Sequence, residues 1–188
     1  MRTHRRWRGK TPADERRQPG MRGGMKNEPC PIFRSAVKLK TWIERARAGR
    51  VVLANGCFDP LHVGHIRYLR GAKSRGDFLV VALNDDASTR ALKGESRPIM
   101  PAIHRARLIA ALDMVDAVLV FSARDVSRIL KTIRPACHAK GTDYTVDTVP
   151  EREVARSLGI ETVIVGDPKT HASREVLNRV RKSKAARG

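Results

Sequence analysis

Apolar runs of strand length alternate with amphipathic stretches of helix length from residue 35 onward. In the first amphipathic stretch, apolar residues recur at helical spacing until Gly49, which would end the helix. The run 78–83 is wholly apolar, as expected for a strand that is buried on both faces of a parallel sheet. The pattern predicts strands at 51–55, 78–83, 115–121, 136–140 and 160–165, and further helices at 63–75, 101–112, 126–133, 151–158 and 173–182.

This alternation predicts an α/β protein with a Rossmann-like, doubly wound parallel sheet of about five strands and flanking helices. Ligands of such sheets bind beyond the carboxyl ends of the strands. Polar, glycine-bearing stretches follow four of the predicted strands, at 55–65, 84–98, 140–144 and 166–173. We therefore expect these stretches to surround one crevice, and we expect the functional site there.

The chain ends lack this hydrophobic period. Residues 1–31 mix Arg, Gly and Pro and are predicted to be a disordered basic tail, followed by one domain at 32–183 and a short basic tail at 184–188. No apolar run approaches the roughly 18 residues of a membrane helix, and residues 1–26 lack the apolar segment of a secretory signal. We expect no membrane partner.

Charge and cysteine content narrow the class of partner. The formal net charge of +19 would attract polyanions such as nucleic acid or phosphorylated metabolites, although solubility alone explains it equally well. Aromatic residues make up only 4% of the chain, which argues against a base-stacking surface for nucleic acid. Cys30, Cys57 and Cys137 form no CxxC pair, so neither a zinc site nor a disulfide framework is predicted, and a cytoplasmic location is expected.

The candidate chemistry lies in the stretch NGCFDPLHVGH at 55–65, between a predicted strand and a predicted helix. His62 and His65 are three residues apart, so both rings would lie on one helix face, and Gly64 would leave room for a phosphate over the helix start. Imidazole donates hydrogen bonds and can be charged near neutral pH. The pair could also be two ordinary histidines, or metal ligands for which Cys57 is the only close third candidate.

This stretch resembles the signature of the nucleotidyltransferase superfamily: a small-residue turn, Phe-Asp, then His-x-Gly-His. LNDDAST (83–89), LKGESRPIMP (92–101) and AKGTDYT (139–145) follow in the expected order. The combination of Lys-Gly-x-Ser-Arg-Pro with Lys-Gly-x-Asp-Tyr is most similar to the adenylyltransferases that make ADP-heptose for lipopolysaccharide or another surface glycan. The resemblance covers residues 35–182 and implies ATP as co-substrate, Mg²⁺, a sugar 1-phosphate and a homodimer.

The resemblance also implies roles for individual residues. The predicted catalytic residues are His62, His65 and Lys93. The predicted nucleotide-binding residues are Asn55, Gly56, Cys57, Phe58, Asp59, Gly64, Arg105, Lys140, Gly141, Asp143, Thr170 and Ser173, of which Gly56, Phe58 and Asp59 would frame the triphosphate and Arg105 would reach the phosphates. The predicted substrate-binding residues are Asn84, Asp86, Arg97 and Tyr144. No metal ligand from the protein is implied, so Mg²⁺ is expected on the triphosphate and water.

Two positions depart from the superfamily pattern. Ala172 stands where a hydroxyl residue is usual, which leaves Ser173 and Thr170 to hold a phosphate, and His104 stands where an acidic residue is usual. Two alternatives stay open. One is a cytidylyltransferase that acts on glycerol 3-phosphate or another phosphorylated small molecule, and the other is a basic nucleic-acid-binding module.

Overall fold

A computed structural model describes residues 29–166 of the chain. Its strands are β1 Ile32–Phe33, β2 Val51–Gly56, β3 Phe78–Asn84, β4 Ala117–Phe121, β5 Cys137–Gly141 and β6 Glu161–Val165. Its helices are α1 Ala36–Arg45, α2 Val63–Lys73, α3 Asp86–Lys93, α4 Ala102–Ala110, α5 Ser127–Ile133 and α6 Arg152–Ser157, and a 3₁₀ turn spans Val146–Thr148. The predicted tails, the predicted helix at 173–182, and Thr170 and Ser173 lie wholly or largely outside the described residues.

All six strands pair in parallel in the order β1-β4-β3-β2-β5-β6. The chain therefore builds outward from β2 to β3 and β4, then returns to the other side of β2 for β5 and β6. The order reverses beside β2, and such a switch point is where doubly wound sheets bind their ligands. This confirms the predicted doubly wound parallel fold, with one strand more than expected.

The additional strand is β1, which pairs with β4 through Ile32 opposite Val118 and Phe33 opposite Leu119. Two residues are too few to show a hydrophobic period, so the hydrophobic pattern contained no sign of this strand.

Both faces of the sheet are covered, and each face has its own core. Val52 and Ala54 of β2 point to the face where α2 and α4 pack, while Leu53 points to the face of α1, α5 and α6. The β3 run behaves in the same way, with all residues from Leu79 to Leu83 fully buried. Because no β3 face is solvent-exposed, its sequence is continuously apolar rather than alternating.

Helix α3 was not predicted, although it forms most of the polar stretch after β3. Its only buried residues are Ser88 and Thr89, so it carries no apolar stripe by which periodicity could detect it. It begins because the Asp85 carboxylate accepts a hydrogen bond from the Ser88 N–H at 2.8 Å.

Helix α2 and strand β6 are in close contact at Gly71. A Cβ atom added there would lie 3.0 Å from Cβ of Val165 and 3.2 Å from the backbone nitrogen of Gly166. These distances are shorter than most Cβ contacts, so a side chain would require Val165 or the backbone of Gly166 to shift, and glycine lets α2 approach the end of β6 this closely.

Candidate active site

The turn between β2 and α2 brings the histidine pair to the carboxyl edge of the sheet. Gly56 leaves room there for the Phe58 ring, which would lie only 3.2 Å from an added Cβ and would have to shift. Phe58 is buried with a φ of 50°, and its ring meets the His65 ring edge-on, with centroids 5.0 Å apart. The Phe58 ring therefore packs against His65.

His62 and His65 are stacked, with ring centroids 3.8 Å apart and planes 23° apart. The backbone N–H of His62 donates to Nδ1 of His65 at 3.3 Å. Burial, followed by the charges of His62 and Lys93, lowers the pKa of His65 to about 3, against an opposite effect of Asp143. His65 is therefore neutral at neutral pH, and because Nδ1 accepts a hydrogen bond, the ring proton must lie on Nε2.

Two exposed charged residues from other segments of the chain influence the pKa of His65. Lys93 is the last residue of α3, and Asp143 follows β5, so they come from opposite sides of β2. The structure thus brings predicted site residues from three separate stretches to one place, as the alternation of strands and helices led us to expect.

Arg105 of α4, which the resemblance predicts to reach the phosphates, is engaged within the protein. Its side chain is fully buried, and its guanidinium donates to the carbonyl oxygens of Met100 at 2.8 Å, Cys57 at 2.6 Å and Asn84 at 2.9 Å. Its Nη2 also donates to Asp86 Oδ1 at 2.7 Å. Arg105 therefore connects the turn after β2, the end of β3 and the start of α4, and its contact with the phosphates stays a prediction.

Asp59 also has a different environment from the one expected. Its carboxylate accepts hydrogen bonds from the backbone N–H groups of Ile99 and Met100 at 2.8 to 3.0 Å and from Arg97 Nη1 at 2.9 Å. Burial alone would raise the pKa of Asp59, but these hydrogen bonds and the Arg97 charge lower it. Asp59 thus anchors the segment 97–100, and Arg97 is held by Asp59 through Nη1. That Asp59 frames the triphosphate and that Arg97 binds substrate stay predictions.

Asn84 and Asp86, both predicted to bind substrate, differ in how much of each side chain is exposed. Asn84 is 3% exposed and donates both amide hydrogens internally, to Ser88 Oγ at 3.2 Å and to the Ala123 carbonyl at 3.0 Å. Asp86 uses Oδ1 for Arg105 and for the Ala102 N–H, yet its side chain is 45% exposed. Asn84 thus has a structural role and Asp86 still faces solvent, and substrate binding by either residue stays a prediction.

On the other side of β2, Lys140 of β5 is buried within a polar cluster. Its Nζ lies 3.3 Å from Asn55 Oδ1, 3.3 Å from Glu151 Oε2 and 4.6 Å from the centroid of the Tyr144 ring. Nε2 of His138 makes a second contact with Asn55 Oδ1 at 3.1 Å. Lys140 therefore holds Asn55 and Glu151 in place directly beside the histidine turn.

Three members of this polar cluster, Tyr68, His138 and Glu151, were missed by the sequence analysis. The Tyr68 hydroxyl donates to the Ala139 carbonyl at 2.8 Å and accepts from the Asn55 N–H at 3.2 Å. A histidine inside a short buried strand was a usable signal for His138. Glu151 precedes a short helix with two more charged residues, Arg152 and Glu153, and nothing in that pattern distinguished it from a solvated helix start.

Within the described part of the chain, no group of three or more His, Cys, Asp or Glu side chains could hold a metal ion. No helix among residues 29–166 is long and apolar enough to cross a membrane. Cys57 lies in the turn, with its Sγ 3.8 Å from Asn84 Oδ1, and supplies no third ligand to the histidine pair.

The fold and the site together define an α/β protein with a His-x-Gly-His turn after its central strand. Residues 53–182 match the cytidylyltransferase-like family, and the chain belongs to this family of nucleotidyltransferases. That match confirms the resemblance seen in the sequence.

Relatives of known sequence and structure agree with this membership. The "Bifunctional protein HldE" of Geobacter sulfurreducens is 45% identical over 140 residues, which is 74% of this chain and 29% of the relative. The protein of the same name from Geobacter metallireducens is 49% identical over 116 residues, 62% of this chain and 24% of the relative. The chain thus spans less than a third of these curated relatives. A crystal structure of the lipopolysaccharide core biosynthesis protein of Thermoplasma volcanium superposes with a TM-score of 0.54 at 27% identity, covering 64% of this chain and 99% of that one.

Proposed function

We propose that this chain transfers AMP from ATP to a sugar 1-phosphate, in particular heptose 1-phosphate, and forms an ADP-sugar and pyrophosphate. Family membership supports nucleotidyl transfer. The sugar phosphate is supported by the Lys-Gly-Glu-Ser-Arg-Pro and Lys-Gly-Thr-Asp-Tyr stretches and by the structural neighbour, which is named as a lipopolysaccharide core biosynthesis protein.

The observation that carries the proposal is the hydrogen bond from the His62 N–H to Nδ1 of His65. It places the proton of the neutral ring on Nε2, so the ring offers a donor where charge develops on the α-phosphate oxygens. Such preorganised donors are the main protein contribution to phosphoryl and nucleotidyl transfer. Lys93 would add positive charge on the same side.

The same hydrogen bond limits the choice of acceptor substrate. Because Nδ1 is occupied and Nε2 carries the proton, His65 cannot remove a proton from an alcohol. With His65 excluded as the base, we expect an acceptor whose oxygen is already anionic, as in a phosphate monoester. That oxygen forms the new bond to the α-phosphorus, and the bond from the α-phosphorus to the pyrophosphate oxygen breaks.

Magnesium is compatible with this site as a companion of the nucleotide. The Asp59 carboxylate is engaged by the 97–100 segment, and Asp86 already uses Oδ1, so the described residues leave the triphosphate oxygens and water as the main ligands. When bound, the ion would neutralise part of the triphosphate charge.

Pyrophosphate release tests the proposal directly. The chain is incubated with ATP or CTP and with heptose 1-phosphate, a hexose 1-phosphate, glycerol 3-phosphate or an unphosphorylated sugar. We expect turnover with ATP and the sugar 1-phosphates, and none with the unphosphorylated sugar. Absence of pyrophosphate with every pair would refute nucleotidyl transfer by this chain.

A cytidylyltransferase is the second candidate, because the matched family is described as cytidylyltransferase-like. Turnover with CTP and glycerol 3-phosphate, but not with ATP and heptose 1-phosphate, would establish it in place of the first. A homodimer stays a prediction from the family resemblance, and a cytoplasmic location stays a prediction from the cysteine content. Sedimentation equilibrium tests the dimer.

A further inference from the structure

Asn55, at the end of the central strand, has a side-chain amide whose orientation is fixed. Its Oδ1 lies 3.3 Å from Lys140 Nζ and 3.1 Å from His138 Nε2. A lysine ammonium can only donate, so the atom that faces it must be the amide oxygen. The amide nitrogen, Nδ2, therefore lies on the opposite side of the amide group.

The residues that fix this orientation are themselves buried. We name Tyr68, His138, Lys140 and Glu151 the Asn55 clamp. His138 is fully buried, and Lys140 and Glu151 are 5% and 2% exposed. Glu151 holds Lys140 through Oε2, while its Oε1 accepts the Val126 N–H at 3.3 Å. Tyr68 holds the Asn55 backbone.

A buried ion pair of this kind calls for an explanation other than stability. Well-packed apolar residues would often serve the fold equally well, because desolvation offsets much of the attraction between buried charges. The Lys140–Glu151 pair instead orients the Asn55 side chain, because it supplies one hydrogen-bond donor at a fixed point beside Asn55. The clamp therefore determines which way the amide faces.

Nδ2 of Asn55 makes no hydrogen bond to any residue between 29 and 166, yet it is not among the buried atoms of that region that lack a partner. Asn84, at the corresponding end of β3, provides the contrast. It is 3% exposed, and its Nδ2 donates to Ser88 and to Ala123. An asparagine thus lies near the carboxyl end of each of these two neighbouring strands, one with its donors used internally and one with its donors available.

We propose that Asn55 Nδ2 donates a hydrogen bond to a phosphate oxygen of the bound nucleoside triphosphate, and that the Asn55 clamp fixes this donor in place. The inference rests on the proposed function and extends it by two positioning residues, His138 and Glu151. Asn55 immediately precedes the Gly56 turn and the histidine pair, so a phosphate held near that turn lies next to its amide.

The substitution Asn55→Asp separates a ligand donor from a structural amide. A carboxylate keeps an acceptor for both Lys140 and His138, so we expect the chain to fold with wild-type stability. The donor becomes a negatively charged acceptor, and we expect KM for ATP to rise about 10- to 100-fold, the range for losing one hydrogen bond to a charged group. Unchanged KM and kcat would overturn the proposal.

Asn84→Asp is the matched control, with the same chemical change at the end of the adjacent strand. It removes donors that Ser88 Oγ and the Ala123 carbonyl need, so we expect it to lower the unfolding midpoint in urea, in contrast to Asn55→Asp. The reverse pattern, with Asn84→Asp raising KM and Asn55→Asp lowering stability, would assign the ligand contact to Asn84 instead.

The positioning role of Glu151 is tested by a double-mutant cycle. Glu151→Gln in the wild-type background should raise KM for ATP several-fold, because Lys140 loses its carboxylate partner. In the Asn55→Asp background, where the donor is already absent, the same change should leave KM unaltered. Equal effects in both backgrounds would show that Glu151 acts independently of Asn55.

Equilibrium binding of inorganic tripolyphosphate separates failure of this inference from failure of the proposed function. A wild-type chain without turnover on any substrate pair would refute the function, while tenfold weaker tripolyphosphate binding by Asn55→Asp would still support the donor. Equal binding by wild type and variant, or no binding by either, would overturn the inference whatever the turnover.

Discussion

Among residues 29–166, a buried lysine or arginine lies on each side of the central strand β2, and the two have different roles. Arg105, on the β3 side, donates to three backbone carbonyls and to Asp86. Lys140, on the β5 side, donates to two side-chain oxygens, those of Asn55 and Glu151. A planar guanidinium with five donors suits the joining of several backbone segments, whereas an ammonium acts as a point charge.

Both cations are engaged within the protein: Arg105 maintains the shape of the turns, and Lys140 maintains the direction of one amide. The groups that we propose to face the ligand are His65, Lys93 and Asn55. We accordingly expect substitutions at Arg105 to affect stability first, and substitutions at the exposed groups to affect turnover or affinity first.

The largest expected effect is loss of stability in Arg105→Met. The buried carbonyls of Met100, Cys57 and Asn84 would each lose a donor, and we expect the free energy of unfolding to fall by about 3–5 kcal/mol, as for one broken partner of a buried charge network. Urea denaturation measures it. Arg107→Met, at an exposed position of the same helix, should change stability by less than about 0.5 kcal/mol. A stable Arg105→Met variant that no longer binds ATP would make Arg105 a ligand after all.

His65→Ala should lower kcat by about 10² to 10³, the effect of removing one preorganised donor from a transition state. ATP binding should change little, because the donor matters most as charge develops. Pyrophosphate release measures kcat, and isothermal calorimetry measures binding. His104→Ala, at an exposed position of α4, serves as the control and should retain full turnover.

Glu151→Gln tests how much the Lys140 cluster contributes to stability, because it removes the carboxylate partner of Lys140 and leaves the lysine in place. The amide still accepts the Val126 N–H, so we expect a loss of about 1–3 kcal/mol in the free energy of unfolding, less than for Arg105→Met. The exposed Glu153→Gln is the matched control. A loss as large as that of Arg105→Met would mean that Lys140 is as important to the fold as Arg105.

The smallest expected effect is a change in folding stability with pH. The pKa of His65 is about 3 in the folded chain because burial, His62 and Lys93 lower it from 6.5. The unfolded chain therefore binds a proton at this position below about pH 6.5 while the folded chain does not, and stability falls as pH decreases from 6.5 toward 3.

Between pH 7.5 and 6.0 this histidine should account for about 1 kcal/mol of lost stability. Urea midpoints of wild type and His65→Gln at the two pH values isolate it, since the variant lacks the proton-binding group. A His104→Gln variant should lose as much stability as wild type. A His65→Gln variant with the wild-type dependence on pH would show that His65 is already charged in the folded chain.

Strands and helices with a clear hydrophobic period were predicted to within about two residues, as β3 illustrates: 78–83 was expected, and Phe78–Asn84 forms the strand. A strand that is buried on both faces has a continuous apolar run, which is easily recognised in the sequence. Helix α3 and strand β1 were missed because one buries no apolar stripe and the other is two residues long.

The histidine turn was found from its residues because all its parts are contiguous. The hydrogen-bond partners of Arg105 and Asp59 could not be predicted from the sequence. A long or charged side chain can contact either a ligand or a neighbouring loop, and the packing of distant segments decides which. His138 and Glu151 were missed for the same reason. Their partner, Asn55, lies 83 residues away from His138 in the chain.

The close contact at Gly71 joins the C-terminal end of α2 to β6, and the histidine turn lies at the N-terminal end of the same helix. A helix of 11 residues is a stiff rod about 16 Å long, with the histidine pair at its start and Gly71 near its end. A larger residue at Gly71 would require Val165 or the backbone of Gly166 to give way, or the rod to move instead. The position of the imidazole rings is thereby coupled to the absence of a methyl group more than one and a half helical turns away.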